Sequence, residues 1–209
     1  MTWAERAQRA IERYEGGERR TLDQRQLTQL ANAAWAAGLS LLMDGRSDEA
    51  AVWLRRSADR YRESWGAGAW GRPIAAIKAL LLAGDDAHEA AGWALDAGAG
   101  TADSTIGRYA GTLARLVLGD DDGARPLVAT LRDCDEFPQD VADALAALAA
   151  GDRAAYAGAV EAVLESFEQR VDFLEDVRVA DTALVLQALA RRRGIKVDLR
   201  PSQLLPPGA

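Results

Sequence analysis

Apolar residues return every three or four positions along most of this chain, the spacing that gathers one face of an α-helix. Leu27, Leu30, Ala34 and Leu41 mark one such face, and Ala50, Trp53, Leu54 and Tyr61 mark the next. Four glycine-centred turns separate the periodic segments: Asp44-Gly45-Arg46, Gly84-Asp85-Asp86, Gly119-Asp120-Asp121 and Gly151-Asp152-Arg153. Around the first two turns the sequence repeats itself. Leu41-Leu42 and Glu49-Ala50-Ala51-Val52-Trp53 recur as Leu81-Leu82 and Glu89-Ala90-Ala91-Gly92-Trp93. A spacing of about 40 residues suits a helix-turn-helix unit, and stacked units of this kind build a solenoid. The expected fold is all-α, with antiparallel helix pairs stacked as a superhelix or a compact bundle of about ten helices.

The element ends carry local signals. Thr2 and Glu5 predict a capping box opening a helix over residues 2–15, and Thr21 with Gln24 predicts another opening the first pair, 21–65. Ser47 is the expected cap of that pair's second helix. Further pairs are expected over 73–98, starting at Pro73, over 103–133, and over 140–173, where Asp140 is the expected cap. A terminal helix over 179–193 carries Ala180, Ala183, Leu184, Leu186 and Leu189, so it is apolar nearly all round and should be buried. Gly194 stops it, and an extended tail over 195–209 brings Leu199, Leu204 and Leu205 against the stack. No linker or low-complexity stretch interrupts residues 1–209, which predicts a single helical domain.

The pair over residues 22–64 resembles a tetratricopeptide repeat. The family's small and bulky apolar positions fall on Gly38, Ala50 and Leu54, and its turn glycine on Gly45. Its early Trp and Leu positions fall on Ala34 and Ala37, and its terminal Pro on Arg62, so the pattern departs there. The resemblance implies closely packed helix pairs and says nothing of the ligand. The end of the last helix with the tail, Leu189-Ala190, Arg193-Gly194-Ile195 and Ser202-x-Leu204-Leu205-Pro206, resembles an all-helical bacterial immunity family. That similarity implies a protein that caps a toxin.

Composition narrows the partners. The chain has 25 basic and 32 acidic residues, a net charge of −7, which argues against a nucleic-acid partner because phosphate binding needs clustered positive charge. Only Lys78 and Lys196 are lysines; the preference for Arg and Ala is that of a GC-rich bacterial genome. The single cysteine, Cys134, allows no internal disulfide and suits a reducing compartment. The start, Met1 to Arg6, lacks a signal-peptide layout, and no apolar run reaches the roughly 20 residues of a membrane span. A cytoplasmic protein with no membrane partner is expected.

The most suggestive segment is Trp65-Gly66-Ala67-Gly68-Ala69-Trp70-Gly71-Arg72, two indoles flanking a Gly-Ala loop with an arginine behind. Trp and Arg dominate binding hot spots because each offers a large contact area and a polar handle. Arg56 and Arg60 on the preceding helix extend this candidate partner-binding set. The alternative is that the Trp residues fill gaps between Ala-rich helices. Glu161, Glu165, Glu168 and Asp172 form an acidic stripe at helical spacing, read as a solvated face or as a receptor for a basic partner. Asp85-Asp86-Ala87-His88 holds the only histidine, one turn into a helix, and Asp133-Cys134-Asp135-Glu136 surrounds the thiol with acids, which disfavours a thiolate nucleophile. No catalytic residue, metal ligand or cofactor is expected from these patterns. The expected function is a non-enzymatic protein- or peptide-binding scaffold, of immunity or adaptor type. The alternatives are a small-molecule-binding or enzymatic bundle, with a carboxylate-lined pocket between the Trp loop and the acidic stripe, and a homodimer joined through the Trp patch.

Overall fold

Thr2 and Asp23 start the first two helices by one device. Glu5 N–H donates to Thr2 Oγ1 (3.2 Å) while Thr2 N–H donates back to Glu5 Oε2 (2.7 Å). Asp23 and Gln26 repeat the exchange at 2.8 and 3.0 Å. The second capping box therefore lies at Asp23 and Gln26; Thr21, expected to open this helix, lies outside the described residues. The computed structural model describes residues 1–18 and 22–208.

Ten α-helices are present among these residues, with no strand. They are α1 (Trp3–Gly17), α2 (Gln24–Met43), α3 (Ser47–Glu63), α4 (Gly71–Leu82) and α5 (His88–Asp96), followed by α6 (Thr105–Val117), α7 (Asp121–Arg132), α8 (Gln139–Ala150), α9 (Arg153–Glu168) and α10 (Asp181–Arg192). No helix is long and apolar enough to cross a membrane. The four repeat turns share a backbone: Gly45, Gly84, Gly119 and Gly151 all take positive φ, between 68 and 84°, where a side chain would be strained.

Several ends differ from the local signals. Ser47 is the first residue of α3, not its cap; Arg46 precedes it and holds Glu49 through two hydrogen bonds of 2.7 and 2.6 Å. Pro138, not Asp140, precedes α8. His88 opens α5, and Asp86 Oδ1 accepts from its N–H at 3.0 Å. The largest departure is α9, which ends at Glu168 rather than near Phe173.

Each helix packs on the next, and the chain then turns back on itself. After α9, residues 169–180 run as an irregular strap to the other end of the molecule. Its short 3-10 turn, Leu174–Asp176, meets α2, and Arg6 Nη1 of α1 donates to Asp176 O at 3.0 Å. Helix α10 then returns over α4, α8 and α9. The tail follows α10 and is tied down where Ala180 N–H donates to Leu204 O (2.9 Å) and Gln187 Nε2 donates to Val197 O (2.7 Å).

This path explains the core. One apolar cluster joins α1, α2, α3 and the Ala76–Ala79 side of α4, and is completed by Val177 and Val179 of the strap. The other takes Ile74, Ile77 and Leu81 of α4 with α5 to α10 and the tail leucines. Helix α4 thus shows apolar side chains to both, the pattern of a helix buried between layers. Ending α9 early leaves Val171 90% exposed but buries Val177 and Val179 to 4% and 2%. Two buried valines outweigh one exposed valine, at about 25 cal/mol per Å² of apolar surface.

Candidate functional site

The structure divides the predicted site residues among three places. Trp65 and Trp70 do come together. After α3 the chain turns through Gly66 to Ala69, with Gly68 at φ +81°, and Gln24 Nε2 of α2 holds the turn by donating to Trp65 O (3.2 Å). The turn brings the Trp65 and Trp70 ring centres to 5.5 Å. Trp93 of α5 adds a third indole, edge-on to Trp65 at 5.6 Å. The Arg62 guanidinium lies over Trp93 (5.7 Å) and pairs with Glu89. All three rings are half-buried, while Ala67 and Gly68 between them are exposed. Trp70 reaches inward as far as Gly107 of α6, where an added Cβ would stand 3.0 Å from Trp70 Nε1. The indoles therefore fill a gap on one side and show a face on the other. The sequence held a signal for Trp93, since it repeats Trp53 in the second copy.

Arg56 and Arg60 do not join this patch; they serve α1. Arg60 donates to Tyr14 Oη (3.1 Å), Glu18 (2.5 Å) and Glu63 (2.6 Å). Arg56 stacks on Trp53 at 4.4 Å, and Trp53 in turn meets Tyr14 edge-on at 5.3 Å. The helix spacing that put them beside the Trp loop in sequence turns them toward another neighbour. Arg72 turns inward from the loop. Its buried Nε has no hydrogen-bond partner among the described residues, and its charge lies near the Tyr61 phenol.

The acidic stripe is engaged from within the chain. Arg200 of the tail holds Glu168 through two hydrogen bonds, of 3.0 and 2.5 Å, and its backbone N–H donates to Glu161 (2.8 Å). Ser202 Oγ adds a bond of 2.7 Å to Glu168. Arg200 and then Ser202 hold the Glu168 carboxyl below its ordinary value. Asp172 lies beyond the end of α9. His88 is exposed, with Asp86 3.7 Å away, and Cys134 is half-buried beside Thr105. Among the described residues no three His, Cys, Asp or Glu side chains gather as a metal site.

The surface has several clefts. One of about 290 Å³ opens where the strap crosses α2, α3 and α4, and Asp172 of the acidic stripe lines it. Its walls include Trp35, Tyr61, Phe167 and Phe173, and its polar groups include Lys78, Asp181 and Thr182. Lys78 of α4 pairs with Asp181, donates to Thr182 Oγ1 (3.1 Å) and sits 5.9 Å from the centre of the Trp35 ring. Tyr61 donates to Asn32 Oδ1 (2.7 Å), and burial pushes its phenol pKa up. Sequence reasoning passed over these residues. One signal was present: Lys78 is one of two lysines in a chain that otherwise uses arginine. A compact ammonium fits between an aspartate, a hydroxyl and an indole face where a planar guanidinium would not. Comparison of the chain with protein-family models, curated proteins and solved structures finds no match.

Proposed function

We propose that the protein is a non-enzymatic helical scaffold that binds a protein or peptide partner through the Trp65–Trp70–Trp93 patch. One observation carries this reading: two indoles at the ends of the α3–α4 loop and a third from α5 converge around an exposed turn, with an arginine on their rim. Clustered Trp and Arg with part of their surface still open is the composition of an interface anchor. Arg62 and the loop Ala67-Gly68 frame the contact, and Trp65 and Trp70 supply its apolar area.

An immunity-type role, neutralising a toxin by capping it, falls within this reading. The stretch that resembles that family plays another part here. Leu189, Ala190, Ile195, Leu204 and Leu205 are all buried, so this ending docks the tail.

The test places a charge on the loop without touching the core. Ala67→Arg and a distant exposed control, Thr130→Arg on α7, are compared with the wild type in affinity capture from the native lysate. A partner retained by the wild type and the control but lost by Ala67→Arg supports the reading. A partner retained by all three moves the interface elsewhere. A wild-type dimer that Ala67→Arg converts to monomer makes the patch a subunit interface instead.

A further inference from the structure

The geometry points to the cleft beneath the strap as a binding site for a small aromatic carboxylate. Its volume of about 290 Å³ is near the lower end of small-ligand sites, roughly 300–1,000 Å³. Its walls suit a flat ring: Trp35, Tyr61, Phe167 and Phe173 all line it, the last two 6.3 Å apart.

Lys78 suits an anion. An ammonium carries three donors, and Asp181 and Thr182 take two of those of Lys78, which leaves one for a ligand. Arg170 and Arg178 rest on aromatic faces, at 3.6 Å over Phe167 and 5.7 Å over Phe173. Of the two, Arg170 lines the cleft. The lining also holds two acids, Asp181, bound to Lys78, and Asp172, exposed to water, so its formal charges balance. A carboxylate seated in the cleft takes the remaining donor of Lys78, with Arg170 as a second cation on the wall and its ring against the aromatic side chains. This site is separate from the Trp patch, and neither depends on the other.

The test uses the full chain and three probes of one shape: 3-phenylpropionate, its uncharged amide, and 2-phenylethylamine. Titration calorimetry is expected to show saturable binding of the carboxylate, with the amide and the amine weaker by about tenfold or more. In nuclear magnetic resonance spectra of the wild type, the Trp35 indole signal shifts on adding the carboxylate while that of Trp93 stays. Lys78→Met lowers carboxylate affinity by at least about tenfold. Asp181→Asn, which removes the negative charge paired with Lys78, raises it, and a merely structural ion pair would give no such gain. Ala67→Arg binds the probe as the wild type does. Equal binding of amide and carboxylate, no saturable binding of the carboxylate, or an unmoved Trp35 signal overturns the proposal. The Trp35 readout needs no variant, so it stands even if Lys78→Met fails to fold.

Discussion

Gly38 of α2 lies directly under the side chain of Leu54 on α3. A Cβ at position 38 would stand 2.6 Å from Leu54 Cγ and 3.3 Å from the Ala50 carbonyl oxygen. Leu54 is fully buried, so it has nowhere to retreat. Ala is a better helix former than Gly by about 1 kcal/mol, but overpacking a filled core costs about 1–3 kcal/mol. Gly38→Ala is therefore expected to lower stability by about 1 kcal/mol, measured by urea unfolding. In a Leu54→Ala background the sign should reverse, and a double-mutant cycle measures that coupling. Additive effects would show that the two helices are not held at this contact.

Trp70 is expected to matter for stability as well as for binding. It packs on Trp65 and against Gly107, so Trp70→Ala opens a gap between the Trp loop and α6. The expected loss is about 1–3 kcal/mol, less than for a fully buried indole, with helicity by circular dichroism unchanged. A loss well below this would place the ring in solvent.

Acid should release the tail before it unfolds the helices. The Glu168 carboxyl is held below its ordinary value of 4.5 by Arg200 and Ser202. Its contribution is thus complete above that value and fades as pH falls through the lowered one. Hydrogen exchange at Ala180, whose N–H donates to Leu204 O, reads the loss, and Arg200→Gln should bring the same exposure at neutral pH. Protection of Ala180 that is indifferent to both would sever this link.

Alkali should act through buried phenols. Burial raises the pKa of Tyr61, Tyr109 and Tyr156 above the ordinary 10.0. The unfolded chain then loses phenolic protons first. Stability is complete below pH 10 and declines as pH rises toward the folded values. Urea midpoints measured across about pH 9 to 12 should fall, with tyrosinate absorbance appearing together with unfolding. Early tyrosinate absorbance from a folded protein would show these rings open to solvent.

Helices and turns were legible because their signals are local. Gly45, Gly84, Gly119 and Gly151 sit where the chain needs a positive φ, and Thr2 with Glu5 names its own cap. The end of α9 was not legible. Periodicity carried the helix to about residue 173, yet it stops at Glu168, because burying Val177 and Val179 in the distant α1–α3 core decides the path. The same holds for the acidic stripe, whose partner Arg200 arrives from the tail, and for Arg60, whose partners Tyr14 and Glu18 lie on α1 and at its end. Lys78 stood out in sequence only as one of two lysines. Its meaning depends on Asp181, which only the returning α10 brings near.

The bond from Arg6 to Asp176 spans 170 positions of sequence, and the two valines that follow complete the core of the opening helices. On the ribosome, α1 to α4 emerge early but must wait for residues 177–179 before their seam is shut. The opening helices thus complete their core only through a contact made from far along the chain, the kind of non-local closure that slows folding.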